Sequence, residues 1–132
     1  MAPDEPMLLN HLGYLWVDSG RRVEQGAEMI ARAFAADPRN ANIQDSLGWA
    51  QYRRGQYESA VETLEQAVAT QPANAEINDH LGDAYWRVGR RREAGWQWNR
   101  VLTLEPEPGR RAEVERKLAD GLSAPTLSDG QP

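Results

Sequence analysis

At 132 residues with a formal net charge of −5, the chain is long enough for one domain or one short repeat array, and its acidity argues against a general nucleic-acid binder. It has no cysteine, which rules out disulfides, thiolate nucleophiles and thiolate metal sites. No run approaches the ~18 consecutive apolar residues needed to cross a bilayer, so membrane insertion is not expected.

Residues 1 to 6 contain two prolines and two acids and are expected to be disordered. The following stretch, "MLLNHLGYLWV", lacks a basic leader, and Asn10, His11 and Gly13 interrupt its apolar residues, so it does not read as a signal peptide. The compartment stays open: cytoplasmic if the chain is complete, periplasmic if it is a fragment of an envelope protein. Positive charge comes almost entirely from arginine, a bias that suits a GC-rich bacterial genome, and Lys117 is the only lysine.

The chain then repeats itself. "NHLGYLWVDSG", "DSLGWAQYRRG" and "DHLGDAYWRVG" align, with Gly13, Gly48 and Gly82 spaced by 35 and 34, and Pro38, Pro72 and Pro106 by 34 and 34. Gly20, Gly55 and Gly89 recur in the same register, so the extra residue of the first unit falls between Gly20 and Pro38, at "GRRV". Each unit holds two segments of about a dozen residues with apolar side chains at helical spacing, divided by a glycine. In the second unit the first helix is expected from Asn42 to Arg54, closed by Gly55, and the second from Tyr57 to Thr70. Asn40 and Asn74 are the expected N-caps of the next helices. Gly48 and Gly82 cost roughly 1 kcal/mol each inside a helix, which points to close approach of the partner helix, with the small Ala60 and Ala67 as the facing residues.

After Pro106, Val114, Leu118 and Leu122 make one narrow apolar stripe on a charged helix, as a terminal cap of a stacked array requires. The units are therefore 7–40, 41–74 and 75–108, followed by a capping helix at 109–122 and a mobile tail at 123–132.

The second unit carries Leu47, Gly48, Gly55, Tyr57, Ala60, Leu64, Ala67 and Pro72, and the third carries Leu81, Gly82, Tyr85, Gly89, Ala94, Trp98 and Pro106. This pattern resembles the tetratricopeptide repeat (TPR) family. The first unit matches at Leu12, Gly13, Trp16, Gly20, Ala33 and Pro38 but has Gly26 where alanine is usual, and Gln51 departs from an expected aromatic. The wording of "INDHLGDAYWRVGRRREA" also resembles the C-terminal repeats of larger alphaproteobacterial members. The resemblance implies an all-α solenoid of three antiparallel helix pairs plus a C-terminal capping helix.

Chemical constellations are sparse. Asp79, His80 and Asp83 invite a metal or hydrolase reading. The two acids, however, lie on one helical face rather than across a bond, and His80 with Asp83 supplies two ligands where a metal site wants three or four. The other histidine, His11, occupies the same repeat position as His80 two units away. No Gly-x-Ser-x-Gly elbow or glycine-rich phosphate loop is present. Arg90, Arg91 and Arg92, with Arg87 nearby, read as a solvated turn beside Glu93. Neither catalysis nor a cofactor is expected.

In the TPR family the first helix of each repeat lines the concave surface. By that resemblance the groove residues are Asn10 and Tyr14 from the first unit, Asp45, Trp49, Tyr52 and Arg53 from the second, and Asp79, Asp83, Trp86 and Arg87 from the third. Aromatics beside acids and arginines are the composition of binding hot spots. The bland alternative is that Trp49, Tyr52 and Trp86 only pack between successive helices. The family's clamp for C-terminal carboxylates uses Lys, Asn and Arg at these places, and the residues here do not reproduce it. The expected partner is a protein or peptide with apolar or aromatic anchors and some Lys or Arg, bound by a scaffold or adaptor module. The rival is self-association into a homo-oligomer, stacking through an uncapped first repeat. Trp98 falls on the large buried position; Trp96, two residues earlier, points elsewhere, either against the capping helix or to solvent.

Overall fold

The structure, a computed structural model, describes residues 5–123, so the readings placed on 1–4 and 124–132 lie outside it. Among the described residues it consists of seven α-helices: α1 (Pro6–Ser19), α2 (Val23–Ala36), α3 (Ala41–Arg53), α4 (Tyr57–Thr70), α5 (Ala75–Arg87), α6 (Arg91–Thr103) and α7 (Pro108–Asp120).

Local chemistry fixes the helix ends. The Asn40 side chain accepts from the backbone N–H groups of Asn42 and Ile43, and Asn74 accepts from that of Ile77, so both asparagines cap the helices that follow. Glu5 does the same for Leu8 with Pro6 in the first turn, which starts α1 inside the segment expected to be disordered. Gly20, Gly55 and Gly89 all take positive φ at the turns within the pairs. The extra residue of the first unit sits in that turn: Arg22 adopts a left-handed φ of 53°, a conformation a non-glycine residue enters only at a cost of about 1–2 kcal/mol.

Within each pair the helices cross at the repeated glycine. A Cβ added to Gly48 would stand 2.6 Å from Leu64 Cγ, and one on Gly82 would stand 2.5 Å from Trp98 Nε1. The residue that fills the space is therefore the large side chain of the second helix, not Ala60 or Ala67 as the sequence suggested. In the first pair Gly13 and Gly26 face each other, each Cβ position lying 2.7 Å from the other's carbonyl oxygen. That contact explains glycine in place of alanine at position 26.

Between pairs the core is a series of clusters, each bridging neighbouring repeats. Leu47, Trp49 and Ala50 pack on Val17, Val23, Ala27 and Ile30, and Leu81, Ala84 and Tyr85 pack on Ala60, Val61 and Leu64. Trp98 is fully buried in the last of these clusters, and Val114, Leu118 and Leu122 close it from α7. Trp96 is 61% exposed and stands away from the core.

Candidate functional site: the concave face

The first helices α1, α3 and α5 lie side by side, and their side chains join the repeats. Tyr14 donates to Glu76 Oε2 at 2.9 Å, tying α1 to α5. His80 Nδ1 stands 2.8 Å from Asp45 Oδ1, tying α5 to α3. The Trp49 indole stacks on the His80 ring at 4.0 Å and on Tyr52 at 4.7 Å. Arg87 Nε donates to the Tyr52 hydroxyl at 3.1 Å. At the α1 end, Trp49 Nε1 donates to Asp18 Oδ1, and Arg53 donates to the Asp18 carbonyl at 2.8 Å.

This network holds a buried positive charge. Burial pulls the His80 pKa down, but Asp45, Glu76 and Asp79 outweigh it and raise it to about 9. The imidazolium is thus the resting form at neutral pH. Tyr14 is pushed above the ordinary phenol range, first by burial and then by Glu76. Asp45, Glu76 and His80 bring ligand-type atoms within 4.8 Å of one another, a grouping that two adjacent acids in the sequence did not indicate. A metal would have to displace the proton that His80 shares with Asp45.

The acids of the third unit have a different fate. Asp79 and Asp83 are 3% and 6% exposed, and α7 has taken both. Lys117 Nζ sits 2.9 Å from Asp79 Oδ1 and 2.9 Å from Asp83 Oδ1, while Arg110 donates to Asp79 Oδ2 at 2.6 Å. Trp98 Nε1 donates to Asp83 as well. Burial disfavours the Lys117 ammonium, but Asp83 and Asp79 more than restore it and its pKa is raised. These acids are therefore not surfaces for a partner's Lys or Arg, as the helical wheel implied; the chain's own lysine fills the role.

Trp86 and Arg87 are also engaged from within. Arg91 lies over the Trp86 ring at 4.2 Å, and Gly121 approaches it so closely that a Cβ there would collide with Cζ2. Arg87 Nη1 donates to the Ser123 carbonyl at 2.7 Å. The arginine run is likewise occupied, Arg90 lying over Tyr85 and meeting Glu93. What stays half-open on the concave face is the stretch from Tyr14 through Trp49 and Tyr52 to Arg53. Beside it lies a cavity of about 230 Å³ between α1, α3 and α5, walled by Met7, Asn10, Tyr14, Asp45 and Glu76 among others. Asn10 and Asp45 are buried in that wall, whereas the sequence placed them on an open groove.

An antiparallel helix pair repeated three times, stacked through apolar side chains and with the first helices of the pairs side by side, defines a helical-repeat solenoid. A family model described as TPR repeat matches residues 48–89. The chain is 40% identical over 58 residues to a TPR repeat-containing protein of Pseudomonas aeruginosa, covering 44% of this chain and 10% of that protein. It thus spans about a tenth of the length of the curated relative it matches. Among solved structures it is similar to the first TPR of Spaghetti (RPAP3) bound to the HSP90 peptide SRMEEVD, with a TM-score of 0.75, 21% identity, and 90% and 94% of the two chains covered. It is also similar to the Yersinia enterocolitica type III secretion translocator chaperone SycD, with a TM-score of 0.76, 18% identity, and 89% and 92% covered. MamA from AMB-1 superposes with a TM-score of 0.68 at 29% identity, over 88% of this chain and 66% of that one. The chain thus carries a TPR-repeat match over residues 48–89 and, among the described residues, has the all-α solenoid fold of these structures, three helix pairs followed by a C-terminal helix. No helix among the described residues is long and apolar enough to cross a membrane.

Proposed function

We propose that the chain is a non-catalytic interaction module, a scaffold or adaptor that holds an extended segment of another protein on its concave face. The segment lies along Tyr14, Trp49, Tyr52 and Arg53, up to the point where α7 closes the groove. The observation that carries this reading is the way the chain's own backbone from Gly121 to Ser123 lies on Trp86 and is gripped by Arg87. Arg53 occupies the equivalent place one repeat earlier, and there it already holds a main-chain carbonyl, that of Asp18. A ring that takes a backbone across its face, beside an arginine that donates to a carbonyl, is a recognition unit for extended peptide.

The similar Spaghetti domain binds an HSP90 peptide with an acidic end. In this chain the face of α1, α3 and α5 carries Glu76 at its half-buried rim and Asp45 in the wall behind it, which favours a ligand with basic and aromatic residues instead. A single site of this kind binds in the micromolar range, about −8 kcal/mol. Peptides selected from a random display library test this. Their binding is expected to weaken roughly tenfold on Arg53→Ala and to be blocked by Asn42→Trp on the exposed rim, with unfolding curves confirming the fold. Selection of peptides indifferent to both changes overturns the reading.

A second reading, self-association, is favoured by a specific stripe. Leu8, Leu12 and Leu15 are 45%, 39% and 49% exposed on α1. Their counterparts in the next repeats, Ile43, Leu47 and Ala50, then Ile77, Leu81 and Ala84, are packed in the interior of the stack. A second copy pairing through this stripe would cover it. Light scattering across a concentration series should show a mass that rises, and Leu12→Glu should hold the chain monomeric; a strict monomer at all concentrations removes this reading.

A further inference from the structure

The cavity between α1, α3 and α5 is more specific than the groove around it. At about 230 Å³ it is below the ~300 Å³ lower bound of ordinary metabolite pockets, so its size suits one side chain. Its wall offers acceptors. Glu76 presents a carboxylate at the rim, with one oxygen engaged by Tyr14. Asp45 spends Oδ1 on His80. Asn10, 7% exposed in the same wall, has a buried Oδ1 that finds no hydrogen-bond partner among the described residues. A buried acceptor left unpaired costs about 1–3 kcal/mol, and a donor entering the cavity would relieve that. Counting Asp45, Glu76 and the protonated His80, the site carries one net negative charge. Met7 and the Tyr14 ring supply apolar wall for an alkyl stem.

We propose that this cavity receives the cationic head of one Lys or Arg side chain of the bound segment, its stem along Met7 and Tyr14 and its N–H donors on Glu76, Asp45 and Asn10. This rests on the reading that the concave face takes a partner segment, and it names the residue that segment must supply. An organic cation is favoured over a metal ion because His80 Nδ1 and Asp45 Oδ1 are already paired at 2.8 Å. The recognised element is a single donor-bearing cation: Lys117 from α7 already occupies Asp79 and Asp83, whereas Asp45 and Glu76 make no contact with it.

The test uses two small probes on the full chain, Nα-acetyl-lysine methylamide and its neutral isostere Nα-acetyl-norleucine methylamide, followed by NMR of the Asn10 carboxamide and the Tyr14 ring. The lysine probe is expected to shift both groups, with the norleucine probe at least roughly tenfold weaker. Glu76→Gln should cut lysine-probe affinity roughly tenfold, with its unfolding curve confirming that the variant is folded, and Asn42→Trp should abolish binding from the exposed rim. Equal binding of the two probes, or lysine shifts that survive both substitutions, overturns the proposal. So does saturation by zinc or calcium chloride with no response to the lysine probe. Failure of the wider reading looks different: if the probe fills the cavity but no library peptide binds the chain, the groove reading falls and the cavity stands. If library peptides bind but ignore a Lys→norleucine exchange and Glu76→Gln, the cavity falls and the groove stands.

Discussion

Lys117, the only lysine in the chain, places Nζ 2.9 Å from Asp83 Oδ1 across 34 residues of sequence. The same ammonium meets Asp79, which Arg110 also reaches, so two capping-helix cations serve two buried carboxylates that are helical neighbours. Removing one partner of a buried ion pair is far more damaging than a surface change, because the charges left behind stay desolvated.

Lys117→Met is therefore expected to destabilise the fold by about 3–5 kcal/mol. Adding Asp83→Asn to Lys117→Met should recover part of that loss, since the uncompensated charge disappears. Urea unfolding of the two single variants and the double variant measures the coupling; additive losses would mean that the lysine and the acid act independently.

The His80–Asp45 pair predicts a pH dependence. His80 has a folded pKa of about 9 against an ordinary 6.5. A raised pKa means that the folded state binds the proton more tightly, so the stabilisation is complete below pH 6.5 and fades as pH rises through about 9. The amount is on the order of 3 kcal/mol. The tyrosines titrate above this window, Tyr52 and Tyr85 at about 12. Unfolding free energies at pH 6, 7.5 and 9 should fall for the wild type and stay flat for His80→Asn; a wild-type stability that is level or rising over this range would show that the imidazole is buried neutral.

Glycines of the same type should respond in opposite ways. Gly82→Ala drives a methyl against the Trp98 indole and should cost about 1–3 kcal/mol. Gly95→Ala, in α6 with nothing within 4 Å of the added Cβ, should stabilise by about 0.5–1 kcal/mol. Thermal melts of both variants decide this, and a loss at position 95 would contradict the packing described.

The two tryptophans of α6 provide an internal control. Trp98→Ala should cost about 3–5 kcal/mol, whereas Trp96→Ala should fall within about 0.5 kcal/mol of wild type. Comparable losses at both positions, read from denaturant midpoints, would place Trp96 in the core.

The helix pairs, the Asn40 and Asn74 caps and the burial of Trp98 were legible because each is a local signal repeated in register, and three copies reinforce one another. The concave face was legible only as a list of positions. A helical wheel puts Asp79 and Asp83 on one face of their helix but carries no information about what lies over it. Their occupant sits on α7, more than a full repeat away, although a lone lysine seven residues after Arg110 was a visible hint. The Asp45–His80 pair was missed for a related reason: the two residues occupy non-equivalent places in neighbouring repeats, so aligning the repeats never brings them together. Gly48 and Gly82 signalled close helix approach, but small residues opposite were the wrong inference, because a glycine can make room for a large side chain as readily as for a backbone.

The most direct test of the central claim is photo-crosslinking of a library-selected peptide to the full chain, with a photoreactive phenylalanine at Tyr52 in one variant and at Trp96 in another. The concave-face account predicts a peptide adduct from position 52 and none from position 96. An adduct from position 96 with none from position 52 would contradict it.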